Sequence, residues 1–373
     1  MTADADEDSV VFDDVLVVRR KARLSFFANH AMSSNPRESL QRVGPLAVVP
    51  AVLREFGVDP GPVFAGLGLS AGSMQRDAWL PYGTLLAVLE RSAEAAGRTE
   101  FGLRVGLAND HRCLGMVGEL MSSAATLGQA LRDYVSVQGR LSSGGSAYLI
   151  PIDDCVAFGY GIYDRFTPAA LQAYGVYIGA ALRILPLLSG GAAHPVEVRF
   201  SGRMPPDGRS FERLAGVPVR FNERQTCVLL RRRDLTAPNP SADHAARQRL
   251  LTEVAGRLGT DLQSVAARLR HALRPALSLG ETSLRELARG LGLSTRTLDR
   301  RLAAEGTSFQ HERDAIRSVM AEELLALTDL NVGEVANALF YANHSAFVRS
   351  FRRWSGVTPS AWRHAQRGRA PKP

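Results

Sequence analysis

The chain has 373 residues, of which 45% are hydrophobic and 22% charged. That is an ordinary balance for a globular protein and enough to bury a core in each of two or three domains. The net charge is +8, and Lys21 and Lys372 are the only lysines, so the positive charge is nearly all arginine. Arginine suits bidentate contacts to phosphate and guanine, which raises nucleic acid as a partner; a genome whose base composition favours arginine codons is the plain alternative.

Cys113, Cys155 and Cys227 are far apart and odd in number, and the eight histidines are scattered without an HExxH pattern. Neither set has disulfide, redox or metal-ligand spacing, so no metal and no cofactor is expected. No apolar run of eighteen residues is read, so no membrane partner is expected. The N-terminus carries Asp4, Asp6, Glu7 and Asp8. It lacks the basic start of a secretory signal, and a cytoplasmic location is expected.

Residues 1–40 read as a poorly ordered extension that turns from acidic to basic at Arg19, Arg20, Lys21 and Arg23, with Met32 as an alternative start. Leu46, Val49, Leu53 and Phe56 recur at helical spacing, with Gly57 as a stop. Tyr82 to Ala96 predicts a second helix ended by Gly97, and Thr126 is a candidate cap for a third. Ala147 to Ile152 and Cys155 to Tyr163 read as strands around an Asp153-Asp154 turn. Ala169 to Leu188 reads as a long helix, and Val196 to Phe200 and Thr226 to Leu230 as further strands. Residues 41–235 are therefore expected to form a mixed α and β domain. Thr236-Ala237-Pro238-Asn239-Pro240-Ser241 marks a boundary. Residues 236–261 read as linker and helix, 262–367 as all-helical, and 368–373 as a tail.

The informative segment opens at Ser283-Leu284-Arg285-Glu286, a capping-box pattern, on a short helix whose face carries Leu284, Leu287, Ala288 and Leu291. Gly292-Leu293-Ser294 forms a turn, and Ser294 caps a second, arginine-bearing helix over about Thr295 to Glu305. Short helix, glycine turn and arginine-bearing helix make the helix-turn-helix layout. It recurs 48 residues on at Asn331-Val332-Gly333-Glu334, where Ala336 matches Ala288; after the turn, Phe347, Arg349 and Phe351 match Leu298, Arg300 and Leu302. An amphipathic stretch from Phe309 to Leu327 is long enough for one helix between the units. At ~1.5 Å per residue such a helix spans roughly 26–28 Å, so the two units could enter successive major grooves, about 34 Å apart.

Residues 262 to 366 resemble the DNA-binding domain of the AraC/XylS family. The matching runs are Leu287 to Ser294, Leu298 to Leu302, and Ser345 to Ser360 followed by Trp362-Arg363. The resemblance implies base-reading roles for Arg296, Thr297, Asp299 and Arg300 in the first unit and His344, Ser345, Val348 and Arg349 in the second. Periodicity agrees for the arginines: Arg296 and Arg300 share a face opposite Leu298 and Leu302, and Arg349 lies between the core positions Phe347 and Phe351. Ser294, Thr295, Arg352, Arg353 and Arg363 are the expected backbone contacts, which fix register and confer salt dependence. Phe340 stands where the family usually has glycine, so distortion of the second turn is expected.

Residues 44 to 235 resemble the arabinose-binding-type sensor domain of a subgroup that includes ornithine- and arginine-responsive regulators. The matching pieces are Leu114 to Gly118, Thr126 to Leu131, Val198 to Phe200 and Phe211 to Phe221. Tyr148, Tyr160 and Tyr163 are the candidate pocket residues, with core packing as the alternative. The expected fold class is thus an α+β N-terminal sensor domain plus an all-α C-terminal domain with two helix-turn-helix units. The expected function is a sequence-specific DNA-binding transcription regulator, an activator responding to a small-molecule effector. Double-stranded DNA, a second copy of the chain as a homodimer, and RNA polymerase are its expected partners. A ligand-independent architectural protein is one alternative. A serine hydrolase using Ser70 in Gly68-Leu69-Ser70-Ala71-Gly72 is another, although a helix-like segment precedes that serine where a strand is needed.

Overall fold

A computed structural model gives the structure of residues 39–257, 264–280 and 283–367. The N-terminal extension apart from its last two residues, the alternative start at Met32 and the tail at 368–373 lie outside the described residues.

Strand β1 (Leu40–Arg42) leads through a 3-10 turn into α1 (Val49–Glu55) and α2 (Pro60–Ala65). Gly57, at φ +72°, ends the first helical segment as its position implied. Strand β2 (Trp79–Pro81) pairs antiparallel with β1 and feeds directly into α3 (Tyr82–Ala96), which Gly97 stops in the left-handed conformation. Helices α4 (Phe101–Leu107), α5 (Met116–Ser123) and α6 (Leu127–Val137) follow, and the Thr126 hydroxyl caps α6 by accepting from the Gln129 amide. The hairpin of β3 (Gly145–Ile152) and β4 (Cys155–Ile162) turns at Asp153-Asp154. Next come α7 (Ala170–Leu188), β5 (Glu197–Arg199), α8 (Gly208–Ala215), β6 (Val219–Arg220), β7 (Thr226–Arg231) and α9 (His244–Arg257). The main sheet has the order β3-β4-β7-β5-β6, with β5 and β6 parallel and the other pairs antiparallel.

Side chains alternate along each strand, so this sheet has two apolar faces. One face, with Leu149, Val156, Phe158 and Val228, joins α7 in the main core. The other carries Tyr148, Ile150, Ala157, Cys227 and Leu229. Helix α7 is long and apolar enough, by length and composition, to cross a membrane, which the sequence reading did not foresee. In the fold it is a core helix that crosses α4 backbone to backbone. A Cβ on Gly179 would lie 2.3 Å from the Leu103 carbonyl oxygen, and one on Gly106 2.3 Å from that of Val176. Only glycine permits so close an approach.

The C-terminal part consists of α10 (Val265–Ser278), α11 (Leu284–Leu291), α12 (Thr295–Ala304), α13 (Phe309–Leu327), α14 (Val332–Ala338), α15 (His344–Ser355) and α16 (Pro359–Arg367). The Thr236–Ser241 segment breaks regular structure as its prolines imply, yet it is tied down. The buried Asn239 amide donates to the Met121 and Ser122 carbonyls at 3.1 and 2.9 Å. On α9, Arg247 forms a two-pronged ion pair with Asp133 of α6, both contacts at 2.7 Å. Helix α9 therefore packs with the N-terminal domain, because a buried carboxylate on α6 needs its guanidinium.

Candidate nucleic-acid interface and sensor cavity

Local sequence explains both helix-turn-helix units. Ser283 caps α11, Gly292 ends it at φ +80°, and Ser294 caps α12 by accepting from the Thr297 amide at 3.1 Å. Leu287, Ala288, Leu298 and Leu302 are buried and hold the two helices together. In the second unit Asn331 and Glu334 make a reciprocal capping box, and Asn343 caps α15 over the buried Phe347 and Phe351. Phe340 occupies the place of Gly292 and keeps the same left-handed kink, at φ +56°. The turn is preserved rather than distorted, at the cost of placing a bulky residue in glycine's region. The Phe340 ring lies against Gly280, where a Cβ would come within 2.7 Å of it.

Arg296, Asp299 and Arg300 of α12 are exposed, and so are His344, Ser345 and Arg349 of α15. Thr297 and Val348 are half-buried, and the Thr297 hydroxyl is 2.9 Å from that of Ser294. Ser294 itself is exposed and Thr295 half-buried beside it. Among the described residues, no side-chain hydrogen bond or ion pair engages Arg296, Arg300, Arg349 or Arg352. The unit-to-unit spacing is set by α13, whose 19 residues span about 28 Å at ~1.5 Å per residue.

Two of the expected backbone contacts are engaged inside the fold. Arg353 pairs with Asp314 of α13 at 2.7 Å. Arg363 donates to the carbonyl oxygens of Leu325 and Leu330 at 3.0 and 2.5 Å, and burial draws its pKa below the usual arginine range. The last turn of any helix leaves carbonyls without helical partners. Arg363 satisfies one of them at the end of α13, so it is a strut of the domain rather than a free phosphate ligand.

The N-terminal domain holds a partly open cavity of about 110 Å³ between α3, α6, α7 and β4. Leu85, Leu89, Leu131, Phe158 and Ile184 form much of its wall, and Gln41, Arg42, Tyr82, Ser142 and Tyr160 give it a polar end. Of the three tyrosines expected there, Tyr160 lines it. Tyr148 does not, because the register pairs it with Gly159, one residue out of phase with Tyr160, so it faces the other side of the sheet. Its hydroxyl donates to the Thr226 carbonyl at 3.3 Å. Tyr163 lies beyond the end of β4 and meets His271 of α10 edge-on at 5.8 Å. Tyr82, Tyr134 and Tyr177 also line the cavity and were missed. A tyrosine opening α3 directly after a strand, and Tyr174 with Tyr177 one turn apart in α7, were the available signals. The Tyr82 and Tyr160 hydroxyls are 3.2 Å apart, and burial pushes both phenols above their ordinary pKa.

A buried polar cluster joins the two domains. Glu323, on α13 between the helix-turn-helix units, accepts from the Tyr174 hydroxyl at 2.7 Å and from Ser201 at 3.0 Å, and lies 3.6 Å from Arg274 of α10. Arg274 also donates to the Ile162 carbonyl at 3.1 Å. Tyr174 in turn packs edge-on against the cavity residue Tyr160, with ring centroids 6.4 Å apart. A chain of direct contacts thus runs from the cavity to the helix that spaces the two units.

Ser70 follows α2 rather than a strand, and its exposed hydroxyl lies 3.3 Å from that of Ser73. This is an interhelical loop, without the strained strand-to-helix turn that a nucleophilic serine of that motif requires.

Residues 57–239 match the family model described as the arabinose-binding domain of AraC transcription regulator, N-terminal, and residues 287–365 match a helix-turn-helix domain. The chain belongs to the AraC family of transcription regulators. It is 27% identical over 321 residues to the HTH-type transcriptional regulator VirS of Mycobacterium tuberculosis, covering 84% of this chain and 93% of that protein. It is 29% identical over 289 residues to the ornithine utilization regulator of Pseudomonas aeruginosa, covering 74% of this chain and 82% of that one. A crystal structure of the transcriptional regulator CdpR from Pseudomonas aeruginosa aligns over 90% of this chain at 23% identity, with a TM-score of 0.42. As an AraC-family member, the chain is a DNA-binding transcription regulator carrying a sensor domain.

Proposed function

We propose that this regulator reads its operator with α12 and α15, using Arg296 and Arg300 in one groove segment and Arg349 in the next. Thr297, Asp299, His344, Ser345 and Val348 complete the base-facing surface, while Ser294, Thr295 and Arg352 meet the backbone. The observation that carries this reading is the set of arginines left without a partner among the described residues, on the two helices that the layout assigns to DNA. An unpaired guanidinium on an exposed helix face is available for a guanine edge or a phosphate. Arg353 joins them only by giving up Asp314.

The N-terminal domain binds a small effector, pairs with a second copy of the chain, and biases how the two DNA-binding domains sit on paired half-sites. An effector acts through a difference in affinity for two arrangements, and the contacts from Tyr160 through Tyr174 to Glu323 supply a physical link. The regulator works in the cytoplasm and activates transcription through RNA polymerase. A mainly apolar cavity in the N-terminal domain favours this reading over a ligand-independent architectural protein. Footprinting of the promoter beside its own gene, with and without cell metabolites, tests it. Protection of two adjacent groove segments per protomer, altered by a metabolite fraction, is expected; binding without sequence preference at low salt overturns it.

A further inference from the structure

We infer that the cavity of the N-terminal domain takes a small, uncharged, mainly apolar molecule with a single hydroxyl head, of the phenol or short-alcohol class, and takes neither a sugar nor a diamino acid. This rests on the reading of that domain as a sensor.

The wall chemistry makes the argument. Leucine, isoleucine, valine, methionine, alanine and phenylalanine side chains form most of the lining. A sugar placed there would bury several hydroxyls against mostly hydrocarbon, more than the few unspent polar atoms of the lining can pair, which is costly. A free amino acid would bring at least one ammonium group, yet no aspartate or glutamate among the described residues lines the cavity. Arg42 is the one formally charged residue in the lining among the described residues, and it is already committed. Its guanidinium donates to the Cys113 carbonyl at 2.9 Å and pairs with Asp77 at 2.5 Å. A carboxylate ligand would therefore be buried without an unspent counter-charge.

Two polar atoms call for something smaller. The Tyr177 hydroxyl and the Gln41 Oε1 atom are both buried and have no hydrogen-bond partner among the described residues. Both residues line the cavity. Tyr177 stacks on Tyr160 at 5.1 Å, which places it beside the polar end. A phenol hydroxyl can both donate and accept, and so can serve a carboxamide oxygen, acting as donor, or a hydroxyl, in either role. Buried polar atoms without partners are rare enough to require an explanation, and a ligand is one. Size agrees as well. A dry apolar cavity of about 150 Å³ holds benzene, so one of about 110 Å³ that is open on one side suits an occupant of about benzene's size, roughly six or seven non-hydrogen atoms.

The test is calorimetric titration of the full-length protein with phenol, 1-hexanol, benzoate, L-arabinose and L-ornithine, alongside operator footprinting with each. Phenol and 1-hexanol are expected to bind one per chain, benzoate at least tenfold more weakly, and the sugar and amino acid not measurably. Tyr177→Phe keeps the shape and should weaken phenol about five- to tenfold by removing one hydrogen bond. Ala181→Leu fills the chamber and should abolish binding while operator affinity, read in parallel, shows that the chain is folded. Tighter binding of benzoate, L-arabinose or L-ornithine than of phenol overturns the inference, as does phenol binding indifferent to both substitutions. If phenol binds as expected but leaves the footprint unchanged, the ligand class stands and the sensor reading falls. If L-ornithine alone changes the footprint, the sensor reading stands and the ligand class falls.

Discussion

The two helix-turn-helix units are alike inside and different at their edges. Each has a capped first helix, a left-handed residue at the turn, a capped second helix and two buried apolar residues one turn apart on it. Yet Gly292 makes the first turn and Phe340 the second. Their attachments to the sensor domain differ as well. The first unit is reached through α10, whose His271 and Arg274 face Tyr163 and Ile162. The second is reached at its leading loop, where Asp329 meets Arg203 at 2.8 Å and its amide donates to the Asn222 side chain. Repeated units conserve the geometry that aims a recognition helix, while the means of holding that geometry, and of connecting it to the rest of the molecule, can diverge.

The largest effect should come from the element the units share. Glu323→Ala leaves Arg274 buried beside it with no carboxylate. Breaking such a pair costs about 3–5 kcal/mol, so urea unfolding should show a loss of that order. Stability within about 0.5 kcal/mol of the parent would mean the cluster does not hold the domains together. Next come the recognition helices themselves. Arg300→Ala and Arg349→Ala should each weaken specific operator binding by about 1–3 kcal/mol while scarcely changing affinity for random duplex. Gel-shift titrations on both DNAs measure this. If one arginine loses equally on both, it is a phosphate contact, and the two units divide reading and anchoring between them.

The turns can be exchanged. Gly292→Ala should cost about 1 kcal/mol, because it forces a side chain into the left-handed region, whereas Phe340→Gly should relieve about the same amount less whatever the ring contributes against Gly280. Thermal unfolding of both variants checks the opposite signs; destabilisation by both would show that the phenyl ring, not the backbone, sets the second turn. The subtlest effect to isolate is pH-dependent and belongs to the first unit's attachment. Burial lowers His271 from an ordinary 6.5 to about 4. The unfolded chain then takes up a proton that the folded one refuses. The stability from keeping this ring neutral is therefore whole above pH 6.5 and drains away as pH falls from there through about 4. Urea midpoints of the parent and His271→Gln across that window should converge at the acid end; parallel curves would contradict the assignment.

Local grammar carried much of this structure. Serine, threonine and asparagine caps, glycine stops and the spacing of buried leucines and phenylalanines are written within a turn or two of where they act, so α3, α6, α7 and α11 to α15 were legible in the sequence. What could not be read depends on partners far along the chain. Tyr148 and Tyr160 look equivalent until the β3-β4 register puts them on opposite faces of the sheet. Arg363 looks like its neighbours until the end of α13 presents it with carbonyls. The allegiance of α9 turns on an aspartate 114 positions away from Arg247. The Glu323 cluster draws on four separate segments, and no short motif announces it.

One ring pair has a practical consequence. Trp362 of α16 meets Phe166 of the sensor domain edge-on at 5.5 Å and Phe351 of α15 at 6.1 Å. The chain has three tryptophans, so replacing Trp79 and Trp354 with phenylalanine leaves a single indole wedged in the seam. Its emission wavelength and quenching by iodide would then report, in an unlabelled molecule and in real time, whether the seam opens when DNA or an effector arrives.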